Sequence, residues 1–84
     1  MKGVTSSGFQ FEIDSQNLNN YELLESIVDM EDEPTLIIKV LRLLLGKEGA
    51  KNLKEHVREK NGFVDMSKVM SEVEDIFKQK EVKN

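Results

Sequence analysis

Cysteine is absent from the 84 residues and histidine occurs once, so the chain can form no disulfide and offers no conventional zinc-ligand set. Proline also occurs only once, at Pro34, which leaves long stretches free to be helical. No apolar run approaches the roughly 18–20 residues that span a bilayer. Met1-Lys2-Gly3-Val4-Thr5 lacks the apolar core of a secretion signal. Basic residues are outnumbered, 12 Lys/Arg against 16 Asp/Glu, for a net charge of −4. Domains that hold a phosphate backbone are usually basic, so this balance disfavours nucleic acid as a partner. What remains is 38% hydrophobic and 33% charged, an ordinary globular composition. A small, acidic, soluble, intracellular protein is expected. At this length only about 60–65% of the unfolded surface is buried on folding, so a monomer would be modestly stable.

The N-terminal stretch alternates. Phe9, Phe11 and Ile13 are apolar and Gln10, Glu12 and Asp14 polar, the period of two of a half-buried strand. Ser6-Ser7-Gly8 is turn chemistry, so residues 2–5 can fold back as a second strand. From Asn17 the period becomes helical. Asn19 or Asn20 suits an N-cap, with Tyr21, Leu24, Ile27 and Val28 as the inward stripe of a helix ending near Glu31. Pro34 fits the first position of a second helix over 34–45. Gly46 can cap it, and a third helix follows over 47–60 with Ala50, Leu53 and Val57 inward. Asn61-Gly62 stops that helix. Asp65 or Ser67 opens a fourth, striped by Met66, Val69, Met70, Val73, Ile76 and Phe77. The expected fold class is α+β, one mostly helical domain over residues 1–78, with a strand or hairpin before about four helices. Residues 79–84 are polar and are expected to fray.

The second helix is unusually apolar. Between Thr35 and Leu45 only Thr35, Lys39 and Arg42 are polar, and they form one narrow stripe. Such a helix must be covered on several sides. Phe9, Phe11, Ile13, Leu24, Ile27, Val28, Leu53, Val57, Val69, Val73 and Phe77 are available to cover it, and they fall short of its full circumference. A partner-binding patch or self-association is therefore expected beside the polar stripe. Charge is unevenly spread as well. Residues 1–34 carry one lysine and eight acids, net −7, while residues 35–62 carry seven bases and three acids, net +4. The two blocks either neutralise each other across solvated faces or orient a protein partner.

No catalytic constellation is visible, and no metal or cofactor is called for. His56 lies in a charged helix, and the serines suit turns, caps or surface. A calcium loop counted from Asp29 needs Gly and Glu at its sixth and twelfth positions, where Pro34 and Val40 stand. Gly46-Lys47-Glu48-Gly49 echoes the backbone-clamping loop of KH domains, and Lys47, Lys51 and Lys54 would suit phosphate. Glu48 within that loop, and too little strand sequence for a three-stranded sheet, oppose this reading. Met66 and Met70 suit core filling or a groove for a partner helix.

Two stretches carry a resemblance. An alternating strand precedes Leu18-Asn19-Asn20-Tyr21-Glu22-Leu23-Leu24-Glu25 and an apolar helix ending Leu44-Leu45-Gly46. Leu53-Lys54-Glu55-His56-Val57, Asn61-Gly62-Phe63-Val64 and an amphipathic helix to Phe77 follow. Over residues 5–78 this order resembles the tail assembly chaperones of long-tailed phages and prophages of low-GC Gram-positive bacteria. The resemblance implies a non-enzymatic protein of the bacterial host cytoplasm, not expected in the mature virion. It would bind the phage tape-measure protein and keep it soluble while the tail tube assembles. Tail-tube subunits would be recruited through a longer, frameshifted form. The residues expected to contact a partner are Ile38, Leu41, Leu45, Met66 and Met70, apolar positions that short helices leave incompletely covered. The alternatives are a KH-like single-stranded nucleic-acid-binding protein and a small helix-pairing adaptor or regulator.

Overall fold

Phe9, Phe11 and Ile13 all point into the core, while Gln10, Glu12 and Asp14 between them stay in solvent, so the alternation is realised as a strand. The computed structural model describes residues 1–82. Strand β1 (Lys2–Val4) pairs antiparallel with β2 (Gln10–Glu12) in the register Lys2↔Glu12, Gly3↔Phe11, Val4↔Gln10. The turn is closed by Gly8 N–H donating to the Thr5 carbonyl at 2.9 Å, with Gly8 at φ 94°. Gly3 is needed for a different reason. A Cβ there would come within 2.6 Å of the Phe11 ring, which lies across it.

A short helix not expected from the sequence follows, α1 (Ser15–Leu18), capped by Asp14 accepting from Gln16 N–H at 2.8 Å. Asn20 then caps α2 (Tyr21–Asp29), accepting from Glu22 N–H at 2.8 Å. The inward stripe of α2 differs from the expected one. Leu23 and Ser26 are buried and Ile27 and Met30 half-buried, while Tyr21, Leu24 and Val28 are 71, 57 and 62% exposed. Two apolar stripes share this helix, and the one whose middle position is the small Ser26 is the one turned against the rest of the fold.

Pro34 opens a single 3₁₀ turn (Pro34–Leu36) that feeds α3 (Ile37–Val57). The expected second and third helices are the two halves of α3, broken at Gly46 with φ 77° and ψ 169°. That region of backbone space is accessible essentially to glycine alone. The break orphans carbonyls at the end of the first half, and the Asn17 side-chain amide donates to one of them, Leu44 O, at 3.2 Å. The unexpected α1 thus has a task, which is to present Asn17 at the break. Ile37, Val40 and Leu44 are buried and Leu41, Leu43 and Leu45 half-buried, because α1, α2, α4 and β2 all pack on α3.

The second half ends at Val57, three residues before the expected Lys60. Arg58 is extended, and its guanidinium holds Glu55 and the Gly62 carbonyl, the latter at 2.8 Å. Gly62 takes φ 90°, and Glu59 N–H closes the loop onto Phe63 O at 2.8 Å. Asp65 starts α4 (Met66–Val82), accepting from the Ser67 N–H and hydroxyl at 2.9 and 2.8 Å. Helix α4 continues past Gln79, which donates to Val4 O at 2.6 Å; the rest of the expected polar tail, Lys83 and Asn84, lies outside the described residues. The architecture is mostly helical α+β: four helices and one small N-terminal antiparallel sheet.

An added methyl at Gly46 would meet no atom within 4 Å, so Gly46→Ala tests the dihedral alone. A loss of about 1–3 kcal/mol is expected, read as a lower urea midpoint at unchanged slope. An unchanged midpoint would show that the break does not depend on glycine.

Candidate partner-binding groove

The break at Gly46 changes the direction of α3, and both of its halves border one space together with the start of α4. Between them runs an open groove of about 710 Å³. Its floor is apolar: Ile37, Ile38 and Leu41 from the first half of α3, Ala50 from the second, and Val64, Met66 and Val69 from the α4 side. Its rim is Thr35, Arg42, Lys47, Lys51 and Lys54, and no carboxylate lines it. Lys47, Lys51 and Lys54 fall at i, i+4 and i+7, which places them on one face of the helix with Ala50.

Of the five residues expected to meet a partner, Ile38, Leu41 and Met66 come together here. Ile38 and Met66 are 55 and 59% exposed, and Leu41 is half-buried. Leu45 and Met70 are half-buried against the core and do not line the groove. Leu45 packs over Gly49, where a Cβ would lie 2.7 Å from its own Cβ. Lys39 of the polar stripe is exposed away from the groove. Sequence reasoning missed Ala50, Val64 and Val69 as lining residues. Val69 was assigned to the core, and only the fold of the chain at Gly46 and Gly62 brings the three to one floor.

No direct ion pair among the described residues joins the acidic block to the basic one. Among the described residues the ion pairs are Arg58–Glu55 at 2.8 Å and Lys68–Glu59 at 3.3 Å, and neither joins residues 1–34 to the groove rim.

A second polar cluster fastens the hairpin to α4. Glu72 is buried and accepts from the Thr5 hydroxyl at 2.7 Å and the Ser7 hydroxyl at 2.6 Å. Asp75 accepts from Ser6 N–H at 2.6 Å and the Ser6 hydroxyl at 2.9 Å. With Gln79, these residues form an i, i+3, i+7 row on α4 that holds the turn of the hairpin. His56 Nε2 lies 3.0 Å from Ser7 Oγ, and its ring leans on Phe9 with centroids 5.3 Å apart. The Ser7 proton is directed to Glu72, so His56 donates to Ser7 Oγ rather than taking its proton. This is a clasp, not a nucleophile and its base. Among the described residues no group of three or more His, Cys, Asp or Glu could hold a metal ion, and no helix is long and apolar enough to cross a membrane.

Comparison with protein-family models, curated protein sequences and solved structures returns no match to the chain.

The clasp is sensitive to acid. Ser6 N–H, followed by the Ser6 hydroxyl, holds the Asp75 carboxyl below its ordinary pKa. A depressed folded pKa contributes stability above the unfolded value, about 3.9, and that stability is lost as pH falls through the folded one. Asp75→Asn should therefore flatten the acid limb of a stability–pH curve below about pH 4 relative to wild type. Identical acid limbs would show that the Ser6–Asp75 contact carries no linkage.

Proposed function

We propose that the protein is a non-enzymatic tail assembly chaperone of a long-tailed phage or prophage. It binds helical segments of the tape-measure protein in the cytoplasm of the bacterial host and keeps them soluble while the tail tube is built. One observation carries this reading: an open apolar groove of about 710 Å³, rimmed by cations and lined by no carboxylate, on a small helical scaffold. Burying an apolar helix stripe in such a groove removes it from water. The cationic rim selects helices whose apolar stripe is flanked by Asp or Glu and repels basic ones. The order of caps, turns and leucines over residues 5–78 supports the same reading by resemblance. The net charge of −4 would help keep a coated partner dispersed by mutual repulsion.

Single-stranded nucleic acid is the other occupant a cationic rim would take, as a KH-like protein would. A KH domain sets its backbone-clamping loop beside a three-stranded sheet, and the sheet among the described residues has two strands.

The test is retention of a tape-measure protein, sought as a very long helical reading frame beside this gene, on immobilised wild-type chain. Ile38→Lys and Met66→Lys replace exposed side chains, so folding should persist while affinity falls by about tenfold or more. Equal retention by both variants, or none by wild type, would remove the groove as the binding site. A salt-dependent shift of single-stranded RNA would instead favour the nucleic-acid reading.

A further inference from the structure

Helix α2 leaves Tyr21, Leu24 and Val28 exposed at i, i+3 and i+7. At 100° per residue this stripe lies roughly 140° round the helix from the buried face of Leu23, Ser26, Ile27 and Met30. Beside it runs a second stripe, Glu22, Glu25 and Asp29, all exposed and joined to no cation among the described residues. An apolar stripe flanked by acids is the chemistry that the groove accepts. Because α2 packs on α3 through its other face, this stripe points away from the helix that walls its own groove. Only another molecule can bring the two together.

The spacings also agree. Read forward, Glu22, Glu25 and Asp29 are separated by three and then four residues. Read backward, Lys54, Lys51 and Lys47 are separated by three and then four. Each row covers about 10 Å of helix.

We propose that α2 of one copy of this chain docks in the groove of a second copy, antiparallel to residues 47–54. Glu22 then faces Lys54, Glu25 faces Lys51, and Asp29 faces Lys47, while Leu24 and Val28 cover Ile38 and Met66. Unlike surfaces meet in this contact, so each copy retains one stripe and one groove for further copies unless the arrangement closes on itself. One helix in one groove is a small interface, so association is expected on the order of micromolar concentration and is weakened by salt. The docked helix occupies the site of the partner segment, and self-association and cargo binding exclude each other at any one groove. The proposal stands on the two surfaces and is independent of what the cargo is.

Sedimentation velocity of the full chain at low and high salt tests it, with Glu25→Lys, Lys51→Glu and their equimolar mixture alongside. Wild type should sediment above one chain's mass as concentration rises, and less so at high salt. Each charge reversal should weaken association by about tenfold or more, and the mixture should restore it, because each variant keeps the surface the other lacks. Leu24→Ser, at a 57% exposed position, removes apolar contact without touching charge and should also weaken association. Circular dichroism verifies that every variant remains folded. A wild type that stays monomeric at its highest soluble concentration overturns the proposal. So does a mixture of folded variants that fails to reassociate.

Discussion

The backbone conformation of Gly46 is the constraint on which the rest of the molecule turns. Without it, residues 37–57 would form one helix about 31 Å long, close to the 37 Å length of the whole molecule. Residues 47–54 would then point into solvent, and Lys47, Lys51 and Lys54 would line nothing. At φ 77° and ψ 169° the chain instead changes direction, and residues of both halves line one groove. Such a break exposes carbonyls that need donors, and Asn17 supplies one. The short α1 and the groove are therefore two consequences of one glycine. Gly49, a turn later, lets Leu45 lie flat against the second half.

The hairpin shows how so short a chain holds a sheet of three-residue strands, which is marginal alone. One face is apolar and buries Phe9, Phe11 and Ile13 on α3 and its neighbours. The turn is fixed separately, by Glu72, Asp75 and Gln79. Glu72 is a buried carboxylate, and burial would be costly if its oxygens lacked donors. Each has one, from Thr5 and from Ser7, and no buried side-chain nitrogen or oxygen among the described residues is left unpaired. The clasp joins residues near both ends of the described chain and so ties the hairpin to α4.

Much of this was legible from residue order, and for physical reasons. Phe9, Phe11 and Ile13 alternate because a strand with one wet face demands it, and Asn20, Pro34, Gly46 and Gly62 sit where caps and breaks need their particular backbones. The apolar excess around Ile38 pointed to incomplete cover, and Ile38, Leu41 and Met66 do share an open floor. The phase of α2 was not legible. Tyr21, Leu24, Ile27 and Val28 form one apolar stripe and Leu23, Ile27 and Met30 another, and hydrophobicity alone does not choose between two stripes that share Ile27. Packing chose Ser26 because a small side chain admits a close neighbour. Helix α1 was missed because Ser15-Gln16-Asn17-Leu18 has no stripe, and only the tertiary need for Asn17 at the break makes sense of it. The end of α3 at Val57 depends on Arg58 reaching Gly62 O, a contact that no local pattern encodes.

The misread face of α2 and the lack of a direct ion pair between the charge blocks are connected. A net charge of −4 hides a block of −7 and a block of +4, and opposite charges on one small molecule would ordinarily be drawn together. No direct ion pair among the described residues joins them: α2 packs its Leu23 face on α3 and leaves its acids exposed, while Lys47, Lys51 and Lys54 line the groove. Surface ion pairs within the chain would contribute little, typically under about 1 kcal/mol each. Not paired with one another, the same charges act on what approaches. The lysines lie beside an apolar floor that an incoming helix would dehydrate, and removing water strengthens each charge contact made there. The apolar floor would then supply attraction and the lack of a lining carboxylate would supply choice, since a basic helix would bring its cations against Arg42 and three lysines. If a helix docks there as proposed, selectivity for acidic, apolar helices would come from the same few residues of the groove.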